Sequence, residues 1–472
     1  MPTLFSGINV ALQALLSHQQ AIQVTEHNVA NANTAGYRRQ EAVLAAGIPY
    51  PMPLLAGSSL VGQMGTGVVV DNIRRFNLEF FDGRYRREIA ESKRWELESS
   101  ILKQVEVTLA ETGGDGLVSR LDAFWGGWQA LSSDPANMAL RADLKERAFA
   151  LVDALNWRAN VLLALRNDQD LAIEERVEEI NQLASQVARL NVEITHIQSS
   201  GANPNDLLDK RDLLLDRLAE IAGATASQQE NGEVLVSIGQ HALVIGAKTF
   251  TLTTTPDPAN SNLAQIIWSE DGMSFSAPRG ELTGLLDARD RVIPAQMESL
   301  NQVAFTLAQR INQLHRAGYG LNNATNLDFF EPFTTTDYAL EIKVSANLDN
   351  LNNIAASTTT DAPGNGNQAG VIAAVRDELI LAGGTVSINQ YYVGKIGELG
   401  LEIDGAKTRA RDRGLVAKSL ETMRESQTGV SLDEEAANLI KSQRAYQAAA
   451  RMMTAMDEML DRVINGMGIV GR

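Results

Sequence analysis

The chain has 472 residues, of which 44% are hydrophobic and 21% charged, with a formal net charge of −17 and no cysteine. This length predicts more than one domain. The acidic balance argues against nucleic acid as a partner, because a phosphate backbone would be repelled. The lack of cysteine excludes disulfides, thiolate metal sites and cysteine nucleophiles.

We expect no membrane-spanning segment, since no apolar run approaches the roughly 20 residues that cross a bilayer. We also expect no cleavable signal peptide, because the N-terminus lacks a basic region and an uninterrupted apolar one.

The N-terminal residues 1–36 predict one long amphipathic helix. Apolar side chains recur there at helical spacing and form a single narrow stripe, as in a coiled-coil seam. The members of this stripe are Phe5, Ile8, Leu12, Leu15, Ile22 and Val29. The helix is expected to end in the Asn-rich stretch before Gly36, a residue that suits a helix stop, and Tyr37, Arg38 and Arg39 follow.

The C-terminal residues 428–472 repeat the same pattern, and Ser431 with Glu434 forms a capping box at the helix start. The apolar members of this second stripe are Leu432, Leu439, Tyr446, Ala449, Met453, Met456, Leu460, Val463 and Met467. A helix with a single stripe has no core of its own, so the two terminal helices can satisfy each other. Packing of both helices onto the rest of the protein is the alternative that the pattern leaves open.

The middle of the chain is mainly helical in pattern. Apolar residues from Ile173 to Ile197 predict a long helix, and a Pro-containing turn in 201–223 leads to a second one, as in an antiparallel helical hairpin. Beyond Gly223, alternation in 232–246 predicts a β-hairpin. The stretches FTLTTT (250–255) and AQIIW (264–268) are expected to extend it into one small sheet.

These patterns together predict a mainly α fold with a small β portion. Residues 1–36 and 428–472 are expected to form an axial domain of coiled-coil terminal helices, and 37–80 an extended connector. Residues 81–427 are expected to form a helical-bundle domain with a β-rich segment at about 225–280.

No constellation in the sequence predicts catalysis or a bound metal or cofactor. The five histidines are not spaced as ligands of one metal ion. Paired carboxylates occur in DARD (287–290) and LDEE (432–435), but both lie on predicted helices and are interpreted as solvated faces or caps. We therefore predict no enzymatic activity and no cofactor. A hydrolase or binding enzyme would need polar groups that converge in a pocket, and no motif in this sequence indicates such a group.

Two terminal motifs carry a family resemblance. NVANANTAGYRRQ (28–40) resembles the N-terminal signature of bacterial flagellar rod, hook and hook-associated proteins, and TGVSLDEEAANLIKSQRAYQAAARMM (428–453) resembles their C-terminal signature. Rod and hook proteins have β-rich middles. The helical middle, with GLVSRLDAFWGGWQALSSDPAN (116–137) and LDKRDLLLDRL (208–218), instead resembles the hook-associated members at the hook–filament junction. One departure is expected: the family inserts an outer β-domain after the residue matching Phe330, and the short stretch 331–338 leaves no room for it.

The resemblance implies a structural protein of the flagellum, exported by the type III apparatus, in which the terminal helices line the axis of a tubular assembly. The implied partners are further copies of the chain in a ring, the hook protein, the second junction protein and an export chaperone at the C-terminal helix. The expected assembly interface comprises Ile8, Leu12, Leu15, Ile22, Val29, Leu439, Tyr446, Met453, Met456, Leu460 and Val463. A rod or hook subunit and a coiled-coil scaffold outside the flagellum are the alternatives.

Overall fold

The computed structural model describes residues 4–49, 65–109 and 116–466. The helices are α1 (Leu4–Ala30), α2 (Glu79–Leu109), α3 (Leu117–Ser133), α4 (Met138–Ser199), α5 (Asn205–Ala222), α6 (Glu281–Asp287), α7 (Ile293–Ala317), α8 (Tyr338–Glu341), α9 (Asn367–Ala373), α10 (Ile388–Thr428) and α11 (Leu432–Gly466). The strands are β1 (Gln40–Ala46), β2 (Val68–Arg75), β3 (Thr225–Gln228), β4 (Val234–Ile238), β5 (His241–Ile245), β6 (Lys248–Thr249), β7 (Leu252–Asp257) and β8 (Leu263–Trp268). Met467 of the predicted C-terminal stripe and residues 50–64 of the predicted connector lie outside the described residues.

The chain forms two compact units. Unit 1 comprises residues 1–89, 180–251 and 414–472, and unit 2 comprises 90–179 and 252–413. The predicted domain 81–427 is therefore divided, because 180–251 and 414–427 group with the terminal helices. Three of the four boundaries fall inside α2, α4 and α10, where an uninterrupted helical pattern gives no sign of a change of unit, and the fourth lies between β6 and β7.

Unit 1 contains two antiparallel sheets. Strands β1 and β2 pair from Gln40↔Arg75 to Ala46↔Val68 within the predicted connector. Strands β3 to β6 form a four-stranded sheet in sequence order, and burial alternates along β4 as its apolar pattern predicts. Gly223, in a left-handed conformation, ends α5 just before this sheet.

The prediction that 250–268 extends this sheet is wrong. Strands β7 and β8 form a separate antiparallel pair with Leu252 opposite Trp268, and both residues belong to unit 2. The first sheet ends with β6, which has only two residues. Leu252, Ile266 and Trp268 are buried, so burial of these side chains, rather than continuity of the strand pattern, sets the pairing.

Helix α4 contains the predicted helix 173–197 but begins 35 residues earlier, at Met138. Its buried apolar residues recur three or four apart along its length, as in Leu144, Leu151, Leu155 and Leu162. By length and composition alone this helix could cross a membrane, although 44% of its most apolar window is buried in the protein. A core helix passes the same test.

An aromatic core organises unit 2. Phe124, Trp125, Trp128, Phe329 and Phe330 are almost fully buried, and their rings contact one another at tilted or edge-on angles. The backbone of the two adjacent phenylalanines is held by Asn312, whose side-chain oxygen accepts both of their N–H groups at 2.9 Å.

The site expected to lack an inserted β-domain follows this core. All residues from 331 to 338 are described, and they form a loop and the first residue of α8 with no strand among them. Phe330 forms an isolated antiparallel bridge with Val344, so the chain leaves and rejoins the core within this short interval.

His315 is buried beside the aromatic core as a neutral imidazole. Its Nδ1 lies 2.7 Å from the Leu327 carbonyl and its Nε2 accepts the Ala355 N–H at 3.0 Å. The neutral tautomer with hydrogen on Nδ1 satisfies both contacts, whereas a proton on Nε2 would face the Ala355 donor. Burial lowers the pKa of His315 to about 4.

We predict that this histidine makes unit 2 sensitive to acid. Because its folded pKa lies below the unfolded value of 6.5, its contribution to stability is present above pH 6.5 and is lost as pH falls toward 4. The difference corresponds to about 3 kcal/mol. All five tryptophans lie in unit 2, so tryptophan fluorescence during urea unfolding at several pH values measures this stability.

The variant His315→Gln should weaken unit 2 at pH 7 but flatten the loss of stability between pH 6.5 and 4. The control His196→Gln removes an exposed imidazole from unit 1, so it should leave the stability of unit 2 and its pH slope unchanged. An unchanged pH slope in His315→Gln would show that the acid sensitivity arises elsewhere.

Candidate assembly interface

Helices α1 and α11 pack against each other within unit 1. With 27 residues, α1 is about 40 Å long at a rise of about 1.5 Å per residue. Gly7 permits close approach, because a Cβ atom there would lie 2.9 Å from Cε of Met456. The two ends of the chain therefore meet, and the alternative in which each packs separately onto the core does not describe this structure.

The eleven residues of the predicted assembly interface divide into two sets. A half-buried set consists of Ile8, Leu15, Ile22, Leu439, Met453, Met456 and Leu460. The other four are exposed: Leu12 by 40%, Val29 by 43%, Tyr446 by 38% and Val463 by 41%. The part of all eleven in an interface between subunits stays a prediction.

Among the described side chains of α1, five are buried: Ala11, Ser17, Val24, Thr25 and Asn28. The predicted stripe contains none of them, and four of the five are small or polar. Ser17 donates to the Val68 carbonyl of β2 at 2.9 Å, so part of this buried side faces the β1–β2 pair rather than α11. Thr25 bonds the Ala21 carbonyl, and Asn28 bonds groups outside its helix.

Asn28 explains why the helix ends in an Asn-rich stretch. Its Nδ2 donates to the Gln40 carbonyl at 2.8 Å and to Glu435 at 2.9 Å. Its Oδ1 accepts the Gln40 N–H at 3.0 Å and the Tyr37 hydroxyl at 2.8 Å. Gly36, at φ 78°, reverses the chain so that it can return to this amide. One buried side chain thus joins the end of α1, the start of β1 and the start of α11.

Glu435 corrects the interpretation of LDEE as a solvated face. Its side chain is 2% exposed and accepts from Arg39 Nε at 2.8 Å as well as from Asn28. Glu434, which is exposed, binds the same guanidinium at 2.9 Å. Both carboxylates lie in the first turn of α11, where the helix dipole also favours negative charge. The capping-box prediction is partly reflected in a 3.5 Å contact from the Glu434 N–H to Ser431 Oγ.

A buried ion-pair cluster lies next to this joint in unit 1. It consists of Arg38, Arg75, Arg86, Arg424, Asp82, Asp209, Asp212 and Asp216. The turn after α1 contributes Arg38, whose guanidinium makes a two-pronged contact with Asp82 of α2 at 2.7 and 2.9 Å. The three other aspartates lie on one face of α5, at the spacing that LDKRDLLLDRL encodes.

Asp212 receives three arginines, at 2.5 Å from Arg75, 3.1 Å from Arg86 and 3.3 Å from Arg38. Burial alone would raise the pKa of Asp212, but the three guanidinium groups outweigh it and hold the pKa well below its usual range. Its stabilising contribution is therefore present above pH 3.8 and is lost only as pH falls below that value. For Asp209, burial outweighs Arg75 and raises the pKa, so its contribution has the opposite sign.

Tyr85 closes one side of the cluster. The Arg424 guanidinium lies 4.3 Å from the centre of its ring and 2.8 Å from Asp216. Burial, together with the Asp216 carboxylate, raises the pKa of Tyr85 to about 12. The cluster is thus a fixed set of charges with matched partners, arranged to hold elements together rather than to exchange protons near neutral pH.

In the described part of the chain, no three His, Asp or Glu side chains are grouped so as to hold a metal ion. The polar groups that do converge in the cluster bind one another. This arrangement is typical of a structural joint and presents no nucleophile beside a base.

Comparison with known proteins identifies the class to which this joint belongs. Residues 424–466, which include α11, match the family model described as flagellar basal body rod FlgEFG protein C-terminal. Residues 102–330 match the model described as flagellar hook-associated protein FlgK helical domain. The chain is therefore a structural protein of the bacterial flagellum, which is an exported extracellular structure.

Similar whole proteins define the family more closely. Flagellar hook-associated protein 1 of Bacillus subtilis is 31% identical over 509 aligned positions that cover all of both chains. Its counterpart in Escherichia coli is 24% identical, over 98% of this chain and 99% of that protein. This chain belongs to the flagellar hook-associated protein 1 family, which confirms the resemblance seen in its sequence.

A solved structure supports the fold. The flagellar hook junction protein FlgK from Burkholderia pseudomallei superposes with a TM-score of 0.66 at 14% identity, covering 74% of this chain and 100% of that chain. The prediction of a mainly α fold with long terminal helices is confirmed.

We predict that Asp212→Asn destabilises unit 1 by about 3–5 kcal/mol, because it leaves three buried guanidinium groups short of negative charge. Hydrogen exchange of α5 amides, followed by mass spectrometry, measures the effect, since unit 1 has no tryptophan. The control Asp206→Asn removes a largely exposed carboxylate from the same helix and should cost less than about 1 kcal/mol. Equal effects of the two variants would contradict a special role for the cluster.

Proposed function

We propose that this chain forms part of the junction between the hook and the filament, where copies of it assemble into a ring through α1 and α11. The observation that carries the proposal is the number of large apolar side chains that the paired terminal helices leave exposed. They are Leu12, Leu16, Val29, Ile440, Tyr446, Met452, Met459, Val463 and Ile464. Apolar groups this numerous on two adjoining helices are typical of a surface that a partner covers.

The composition of α1 supports burial in an assembly. Among its 27 residues, Glu26 is the sole Asp, Glu, Lys or Arg. A helix with a solvated outer face normally carries charged residues there. Because α1 carries almost none, a neighbouring subunit can cover it without removing charges from water.

The partner that best fits this exposed surface is a second copy of the chain. Both α1 and α11 present apolar side chains outward, so each subunit offers two different faces that can meet on neighbouring copies. Repeated contacts between unlike faces close into a ring or continue as a helix. Within one chain the larger apolar residues of the two helices, such as Leu15, Ile22 and Met453, are only half-buried, so a neighbouring subunit would bury more of their apolar surface.

The further partners follow from membership of the family. The proposal includes contacts with the hook protein on one side and with the second junction protein on the other. It includes a chaperone that covers α11 before export, and export by the type III apparatus. It assigns no catalytic activity to the chain.

A rod or hook subunit is the nearest alternative, since residues 424–466 match the rod model. The match of residues 102–330 to the helical domain of hook-associated proteins favours the junction. The position at which the protein is found in purified hook–basal bodies, by immunogold labelling, distinguishes the two. Label along the rod or the whole hook would contradict the junction.

We predict that Leu12→Asp or Val463→Asp blocks incorporation into flagella while the monomer remains folded. Each places a charge on the outer face of the terminal helices, where burial against a neighbour would leave it unpaired. Swimming motility and labelled flagella measure the effect in a strain that lacks its own copy of the protein. Circular dichroism and gel filtration check the monomer.

The control is Leu401→Asp, which makes the same change at a leucine of α10 in unit 2 that is 76% exposed, more than Leu12 or Val463. It should leave motility intact. Normal motility with Leu12→Asp and Val463→Asp would remove the terminal helices from the assembly interface. Loss of motility with all three variants would point to a general effect of added charge.

A further inference from the structure

A partly open cavity of about 260 Å³ lies within unit 2. Three segments line it: Pro135 and Arg141 at the start of α4, residues 319–323 after α7, and residues 356–365 before α9. A water molecule occupies about 30 Å³, so the space exceeds what one solvent molecule fills. Neither the ion-pair cluster nor the terminal helices contribute to it.

Arg141 is a buried cation without a matched anion. It is 1% exposed, and its guanidinium donates to backbone carbonyls only: Nε to Pro135 at 2.8 Å, and Nη1 to Leu351 at 3.1 Å and Ile354 at 2.7 Å. Nη2 has no hydrogen-bond partner among the described residues, and no described carboxylate forms an ion pair with this arginine. Burial lowers the pKa of Arg141 to about 10.

Among the described residues, the buried arginines Arg38, Arg86 and Arg289 have carboxylate partners. Arg158 and Arg211, like Arg141, form no ion pair and donate to uncharged oxygens. Of these three unpaired arginines, Arg141 is the one that lines the cavity. A buried charge is costly unless an opposite charge accompanies it. The missing counter-charge at Arg141 therefore coincides with a space large enough to admit one.

The rest of the lining suits an oxyanion near Arg141. The Tyr319 hydroxyl makes no hydrogen bond among the described residues and is free to donate. Asp361 is the acidic residue of the lining, and its Oδ1 already accepts from Asn323 at 2.7 Å. Three carbonyls hold the guanidinium in place, so little side-chain entropy would be lost when Nη2 binds a ligand.

We propose that this cavity binds a small oxyanion, either phosphate or a carboxylate group, with Arg141 Nη2 as its principal donor. The cavity contains no residue of the terminal helices, so this proposal does not rest on their role at the hook–filament junction. Binding would supply the negative charge that the buried guanidinium lacks, and would link the start of α4 to the loops before α8 and α9.

Isothermal titration of the full-length protein with inorganic phosphate and, separately, with acetate tests the proposal, with chloride balancing the ionic strength. Saturable binding near one equivalent is expected for at least one probe. Binding of phosphate identifies a free inorganic ion as the ligand class, and binding of acetate alone identifies a carboxylate group. No saturable binding of either probe overturns the proposal.

Variants assign the binding to this cavity. Asp361→Asn removes the one negative charge of the lining and should tighten binding by about three- to tenfold. Its control, Asp153→Asn, removes an exposed carboxylate of α4 that does not line the cavity and should not change it. Equal affinities in these two variants would place the anion elsewhere and overturn the proposal.

Two further variants test the donors. Tyr319→Phe removes one hydroxyl without disturbing the arginine and should weaken binding by about three- to tenfold. Arg141→Lys keeps the charge but loses the forked geometry, and should abolish binding. If Arg141→Lys fails to fold because its carbonyl contacts are lost, the Asp361 and Tyr319 variants still decide the matter.

Discussion

The buried ion-pair cluster is the constraint on which unit 1 depends. Its members come from the turn after α1, from α2, β2, α5 and α10, so five chain segments meet at one set of charges. Buried ion pairs often add little net stability compared with apolar packing, but breaking one is costly. In this cluster the ion pairs fix the positions of the segments, because Arg38 must lie between Asp82 and Asp212. That position fixes where the chain leaves α1 and, through Arg39 and Glu435, where α11 begins.

The terminal helices are held differently at their joint and along their length. At the joint, Asn28 and Glu435 make specific polar contacts, whereas further along Gly7 and Ala11 allow close packing but bury little apolar surface. Ordering a residue costs about 1–2 kcal/mol of backbone entropy, and burying a large apolar side chain returns about 1.5–3 kcal/mol. Polar contacts therefore fix where α1 ends and α11 begins, whereas further along the two helices apolar side chains remain partly exposed. Both properties suit a helix pair that is completed by neighbouring subunits.

The sequence predicts those features that a local pattern determines. Helical spacing located α1, α11 and much of α4, and alternation located the β4–β5 hairpin, because each period depends on near neighbours. It did not predict that β7 pairs only with β8, or that Glu435 is buried, because both depend on residues distant in the sequence. The motif LDKRDLLLDRL shows three aspartates on one helix face, but no local pattern reveals that Arg38, Arg75 and Arg86 converge on them.

The distribution of charge bears on how copies of an acidic protein can pack. With a net charge of −17, two subunits repel each other wherever the surfaces that meet are as acidic as the chain on average. Helix α1 avoids this penalty because Glu26 is its one charged residue of the Asp, Glu, Lys and Arg types, whereas α11 carries charges of both signs. An α1 face laid against α11 of the next copy brings few like charges together, because α1 contributes only Glu26. The charge pattern thus favours a contact between unlike helices, which is the kind of contact that can repeat around a ring.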